Sequence, residues 1–174
     1  GSLRMEQDLK DERELLKKVL EALPVGVWIT DKCGRIIQGN TEAQKIWCGI
    51  RYVGIDQYGE YKGWRVDTGE LIKPQEWGAA RAITKGEVSL NEEIEIECFA
   101  GTRKIMLHSA VPIRTDDHGI IGAIVVNQDI TGRKKAEMAL KESEERLKEA
   151  QRIANVGSWT WDIVNNISTG SEET

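Results

Sequence analysis

The spacing of apolar residues changes several times along the chain, and each change marks an element. Leu9, Leu16, Leu20 and Leu23 recur at spacings of seven, four and three in a charged segment. That puts one apolar stripe on a helix over residues 3–23, which Pro24 ends. Residues 24–31 and 35–39 read as a strand pair, with Asp31, Lys32, Cys33 and Gly34 as the turn. Asn40 is placed to cap a short helix over 41–47. Residues 48–73 are rich in Gly, Tyr, Trp and charge with little periodicity, and read as loop and short turns. Pro74 and Gln75 open a helix that runs to residue 85 and closes at Gly86. Three long strands follow at 88–98, 103–113 and 119–128, joined by turns at Ala100-Gly101 and at 116–119. Ala136, Leu140, Ser143, Leu147, Ala150 and Ala154 then alternate by four and three, a heptad seam on a second charged helix over 131–154.

The strands differ in what they bury. Glu93, Glu95 and Glu97 alternate with Ile94 and Ile96, so one face of that strand is wet and the other apolar. Arg103 or Lys104 is placed to offset the acidic row across the hairpin. The next two strands are apolar on both faces. Ile105 and Leu107 oppose Met106, His108 and Ala110; Ile124 and Val126 oppose Ala123, Val125 and Asn127. Such strands need cover on both sides. The short central helices can supply one cover, and the leucine-striped N-terminal helix or the exit helix the other. The fold class is α+β, with the globular domain over residues 24–130.

Composition narrows the functions. The net charge of −5 argues against nucleic acid, whose phosphates need a basic surface. No apolar run is long enough to span a bilayer. Cys33, Cys48 and Cys98 are odd in number, widely spaced and without metal-ligand spacing, which fits reduced thiols in a cytoplasmic protein. No nucleophile, base and orienting group stand out as a set, so the chain does not read as an enzyme and no metal site is expected.

The order of elements and the stretches LPVGVWITDKCGRIIQGN, NTEAQKIW, PQEWGAARAITKGE, GTRKIMLHSAVPI and GAIVVNQDIT resemble a PAS sensor domain of the kind found in bacterial and archaeal sensor histidine kinases. The resemblance covers residues 23–137. It implies a five-stranded antiparallel sheet of spatial order 2-1-5-4-3, short helices over one face and a pocket between sheet and helices, with a flanking N-terminal helix and a C-terminal signalling helix. Residues 155–173, NVGSWTWDIVNNISTGSEE, resemble the opening of a further PAS repeat, and the segment 155–174 is expected to be irregular or to borrow cover from a neighbouring molecule. The chain contains no kinase core.

The resemblance and the alternation together turn Trp28, Thr30, Ile94, Ile96, Met106, His108, Ala110, Val125 and Asn127 inward as candidate ligand-pocket residues. His108 and Asn127 sit on neighbouring strands, where they either bind one ligand or satisfy each other. Trp28 and Met106 are large enough to fill the cup themselves. Tyr52, Tyr58, Tyr61 and Trp64 either wall the pocket or pin the loop. The cofactor is unknown. Flavin-binding members carry an N-C-R-F-L-Q stretch that is absent here, Cys48 lying instead in IWCGIR. Haem-binding members use a histidine on the long central helix, and residues 74–85 hold none.

The strand-to-helix junction, Asp129-Ile130-Thr131, matches the DIT triplet of the resembling family. Thr131 is placed to cap the exit helix and the Asp129 carboxylate to sit near its positive end. The implied function is an input module that passes a ligand- or partner-induced change through this junction to the exit helix. The alternative is a ligand-free dimerisation and relay module with a self-filled core. Both imply a homodimer through the flanking helices and an output domain elsewhere in the parent chain.

Overall fold

The structure is a computed structural model that describes the backbone of residues 1–172 and the side chains of residues 1–164. The first unit comprises residues 1–131. It begins with helix α1 (Ser2–Ala22) and continues through β1 (Gly26–Thr30), β2 (Ile36–Gly39) and α2 (Thr41–Trp47). After a 3-10 turn at Ile55–Glu60 come β3 (Lys62–Arg65), a second 3-10 turn at Pro74–Glu76 and α3 (Gly78–Lys85). Strands β4 (Ser89–Glu97), β5 (Arg103–Arg114) and β6 (Ile120–Asp129) complete it. Helix α4 (Thr131–Glu172) forms the rest of the described chain.

The strands form one sheet of order β2-β1-β6-β5-β4-β3 with every pair antiparallel. The five strands legible in the sequence take the expected spatial order. The sheet has six strands rather than five, because Lys62–Arg65, read as loop, pairs with the open edge of β4. Gly63 makes that strand hard to read. A Cβ there would lie 2.6 Å from the Trp77 ring, so packing under the sheet excludes a larger residue.

The inner face follows the period of two. Met106, His108 and Ala110 on β5, and Ala123, Val125 and Asn127 on β6, are buried, and α2 and α3 pack over the same side. The other face differs from expectation. No residue of α1 is buried, so α1 is not the second cover, and Ile29, Ile105, Leu107, Ile124 and Val126 are half-buried. Among its leucines, Leu9 and Leu16 stay exposed. The acidic row is offset as the register allows: Arg103 meets Glu95 at 3.9 Å and Lys62 meets Glu97 at 3.5 Å.

Two helices depart from the sequence reading. The segment 74–85 is a 3-10 turn and a separate α-helix, split at Trp77, whose extended backbone (ψ 143°) lets its side chain reach the core while Gly86 still closes α3. Helix α4 runs past residue 154 to Glu172, where irregular structure was expected; Gly157 alone does not stop it, since one glycine costs a helix only about 1 kcal/mol. Trp159 and Trp161 are exposed on it. Residues 173–174 of the expected repeat lie outside the described residues.

Asn40 ties these parts together. Its Oδ1 accepts from Ala43 N–H at 3.0 Å, the α2 cap, and from Val27 N–H at 2.9 Å on β1. Its Nδ2 donates to Leu20 C=O at 2.7 Å and Val25 C=O at 2.9 Å, joining the end of α1 to the sheet. Asn40→Ala removes the cap and leaves the buried Val27 amide unpaired. We expect a loss of about 2–4 kcal/mol, combining cap and buried-group costs, read from the shift in urea midpoint. A change below 0.5 kcal/mol, roughly the scale of an ordinary surface substitution, would show that Asn40 does not hold the junction.

Candidate functional site

Between the inner sheet face and the helices lies a chamber of about 50 Å³. Six of the residues assigned to it from sequence line it: Trp28, Thr30, Met106, His108, Val125 and Asn127. Ile94, Ile96 and Ala110 are buried beside it as packing residues of the same core. The rest of the lining is Ile36, on β2, and Trp47, Tyr58, Tyr61, Trp77 and Ala79. Sequence reasoning offered Tyr58 and Tyr61 only as alternatives and did not place the other four. The signal for Trp47 was present, since Ala43, Ile46 and Trp47 share one helical face.

Most polar groups on the wall are spent on the backbone. Thr30 Oγ1 donates to Asp31 C=O and accepts from Ala123 N–H, both at 3.0 Å. Tyr58 donates to Gly34 C=O, and Tyr61 donates to Arg51 C=O at 2.7 Å while accepting from Arg51 N–H at 2.8 Å. Burial raises both phenols, Tyr61 to about 12. These tyrosines therefore both line the chamber and pin the loop. Tyr52 is half exposed, and Trp64 faces the other side of the sheet, where the Arg103 guanidinium lies 3.9 Å from its ring centre. Arg81 is engaged by Glu87 and Glu92.

Asn127, His108 and Trp28 make a directed chain. Asn127 stands opposite His108 in the β5–β6 register. The Trp28 indole N–H can only donate, so it sets the amide: Asn127 Oδ1 accepts from Trp28 Nε1 at 3.1 Å. Asn127 Nδ2 then donates to Val126 C=O at 3.2 Å and to His108 Nδ1 at 2.7 Å. His108 Nδ1 is thereby an acceptor, and the ring proton sits on Nε2. Among the described residues, His108 Nε2, Trp77 Nε1 and Ser89 Oγ are buried and meet no hydrogen-bond partner. The His108 and Trp77 rings lie edge to face, 5.5 Å apart. Gly78, at the start of α3, permits this approach, since a Cβ there would stand 3.0 Å from His108 Nε2.

The chamber as it stands has room for a few heavy atoms, on the scale of several waters at roughly 10–15 Å³ each in this measure. A flavin or a haem does not fit without displacing its aromatic walls.

At the end of β6, Asp129 Oδ1 accepts from the Thr131 amide at 3.0 Å and from the Thr131 hydroxyl at 2.6 Å. The Thr131 hydroxyl also accepts from Ile105 N–H at 3.0 Å, and Ile130 N–H donates to Ile105 C=O at 2.9 Å. Asp129 thus satisfies the first amide of α4, while Thr131 ties the helix start to β5. Ile130 is buried between them in sequence.

An antiparallel sheet cupping a small aromatic-walled chamber, with a last strand that passes directly into a long helix, is the α+β architecture of this chain. The PAS-domain family model matches residues 14–83, and the chain shares the fold of solved PAS domains. Three neighbours illustrate this. The PAS domain of an HTR-like protein from Haloarcula marismortui superposes with a TM-score of 0.53 at 14% identity, over 73% of this chain and 98% of that one. The PAS domain of Bordetella pertussis BvgS gives 0.50 at 18% identity, over 79% and 98%. The PAS domain of the fruit-fly ELK potassium channel gives 0.52 at 13% identity, over 68% and 96%. A search of curated proteins finds no match. The family model ends before β4, so the strands carrying His108, Asn127 and the junction rest on the structural likeness.

Burial is the largest influence on His108 and holds it below the ordinary histidine range; Glu92 pulls it up and Arg81 pushes it down. On unfolding the ring regains a value of about 6.5. The unfolded chain then binds more protons than the native one as pH falls below that value, so stability is lost on acidification. Urea unfolding at successive pH values checks this. Below pH 6 the wild type loses stability more steeply than His108→Phe, by up to about 1.4 kcal/mol per pH unit. Parallel profiles would mean that His108 takes up its proton as readily in the fold as in the unfolded chain.

Proposed function

We propose that this PAS domain is the sensory input module of a signal-transduction protein, with a small acceptor-bearing molecule, such as a carboxylate, as its signal. The observation that supports this reading is the pair of buried donors, His108 Nε2–H and Trp77 Nε1–H, on two residues that line the chamber and find no acceptor among the described residues. An unpaired buried polar group costs roughly 1–3 kcal/mol, which a ligand oxygen would recover. A neutral His108 and a neutral indole bind a carbonyl or carboxylate by hydrogen bonds without needing a counter-charge.

The donors and the junction share two strands. His108 and Ile105 are both on β5, and Asn127 and Asp129 both on β6. A ligand that pulls on His108 biases the same β5–β6 ladder that holds Thr131, and differential affinity for two packings of that ladder would shift their populations. The parent is read as a cytoplasmic sensor histidine kinase on sequence resemblance, and residues 155–174 as the approach to a further repeat. Among the described residues, no helix is long and apolar enough to cross a membrane.

A second reading, dimerisation and relay without a ligand, is favoured by the exposed Leu9 and Leu16 on α1 and the exposed Leu140 and Leu147 on α4. One experiment separates the two. Native mass spectrometry of the purified chain, followed by denaturation and small-molecule analysis, should show a dimer that releases a small oxygen-acceptor compound. His108→Phe, folded by circular dichroism, should bind that compound at least about 10-fold more weakly, the scale of one lost buried hydrogen bond. A dimer with nothing bound supports the relay reading. Undiminished binding by His108→Phe rules out the donor assignment.

A further inference from the structure

Cys48 and Cys98 are 50 positions apart in the chain, yet their Sγ atoms lie 2.9 Å apart. Cys48 is the C-cap of α2, in the left-handed region at φ 59°, and is exposed. Cys98 follows the last residue of β4 and is buried. The seam between them is held from two directions. Phe99 N–H donates to Trp47 C=O at 2.9 Å. Lys104 Nζ donates to the C=O groups of Lys45 and Ile46 at 2.9 and 2.8 Å, fastening the end of α2 to the β4–β5 hairpin, and stands 3.9 Å from Cys48 Sγ. These bonds hold the end of α2 against the β4–β5 turn, where the two thiols meet. Cys33, in the β1–β2 turn, is exposed and apart from the pair.

We propose that Cys48 and Cys98 form a two-electron redox site that a peroxide converts to an intramolecular disulfide. The Cys48 thiolate, the sulfur that solvent reaches, attacks one peroxide oxygen. The O–O bond breaks, the departing hydroxide takes a proton and leaves as water, and Cys48 becomes a sulfenic acid. The Cys98 thiolate then attacks the Cys48 sulfur. An S–S bond forms, the S–O bond breaks, and the second oxygen leaves as water. In total, two thiols and one peroxide give one disulfide and two waters, with two electrons passing from the sulfur pair to the peroxide. A dithiol reductant reverses it by thiol–disulfide exchange. The two thiols shift in opposite directions. The hydrogen bond to Cys98 and burial raise Cys48, with Lys104 pulling the other way. At Cys98 burial is outweighed by the hydrogen bonds from Cys48, Ala100 and Thr102, which lower it. Cys98 is therefore ready as the resolving thiolate, and the first step, which waits on ionisation of the solvent-facing Cys48, quickens as pH rises. The bond would staple α2 to the end of β4 beside Trp47, a wall of the chamber.

The test treats the folded chain with stoichiometric hydrogen peroxide, blocks remaining thiols with iodoacetamide and reads the mass. The expected product has lost two hydrogens, carries one alkyl group, on Cys33, and yields a digest fragment linking Cys48 to Cys98. Dithiothreitol restores all three alkylation sites. The linked fragment should be absent from Cys48→Ser and from Cys98→Ala, each checked for fold by circular dichroism. If one variant fails to fold, the other carries the control. Oxidation of Cys48 to sulfinic acid with Cys98 still alkylated, or a bridge between two chains through Cys33, overturns the proposal.

Discussion

A single amide sets the polarity of the interior. The Trp28 indole can offer only a proton, so Asn127 must turn its carbonyl oxygen toward β1 and its NH₂ toward β5. That orientation makes His108 Nδ1 an acceptor and leaves its proton on Nε2. Three central strands, β1, β6 and β5, are linked by side chains in the same order in which their backbones pair. The orientation cannot reverse without facing the indole N–H with a second donor, inside a core where such a clash costs a full desolvation penalty.

The other polar groups of the wall are already committed. Thr30, Tyr58 and Tyr61 serve the backbone, and Arg81 is held by two carboxylates. What remains is a small apolar space with donors on His108 and Trp77 and no charge on its lining. The junction draws on the same economy of parts. Asp129 and Thr131 satisfy the start of α4 and the backbone of Ile105 together, so the end of the ladder and the start of the helix share hydrogen bonds.

Much of this was legible because strands have an integral period. Once Met106, His108 and Ala110 were assigned to one face, every partner on β6 followed from the pleat. The Asn40 cap was equally local and was read correctly. The misses have tertiary causes. Strand β3 is only four residues long and contains Gly63, whose presence is explained by the Trp77 ring and not by propensity. Trp77 breaks its helix to reach the core, which no local pattern announces. Ile36 lines the chamber from the first position of the four-residue strand β2, too short an element for alternation to mark its inner side. The leucines of α1 suggested a cover for the sheet, but none of its residues is buried, and Leu20 and Glu21 near its end bond to Asn40 and Thr41. The Cys48–Cys98 contact joins segments too far apart in sequence for spacing to reveal.

The tautomer of His108 tests the account most directly. Long-range ¹H–¹⁵N correlation spectra of the folded chain at neutral pH, assigned by comparison with His108→Phe, report which ring nitrogen carries the proton. The account predicts a neutral ring protonated at Nε2, with Nδ1 bare and accepting from Asn127. A ring protonated at Nδ1, or at both nitrogens, would mean that Asn127 is turned the other way and that the chamber does not present the donors described.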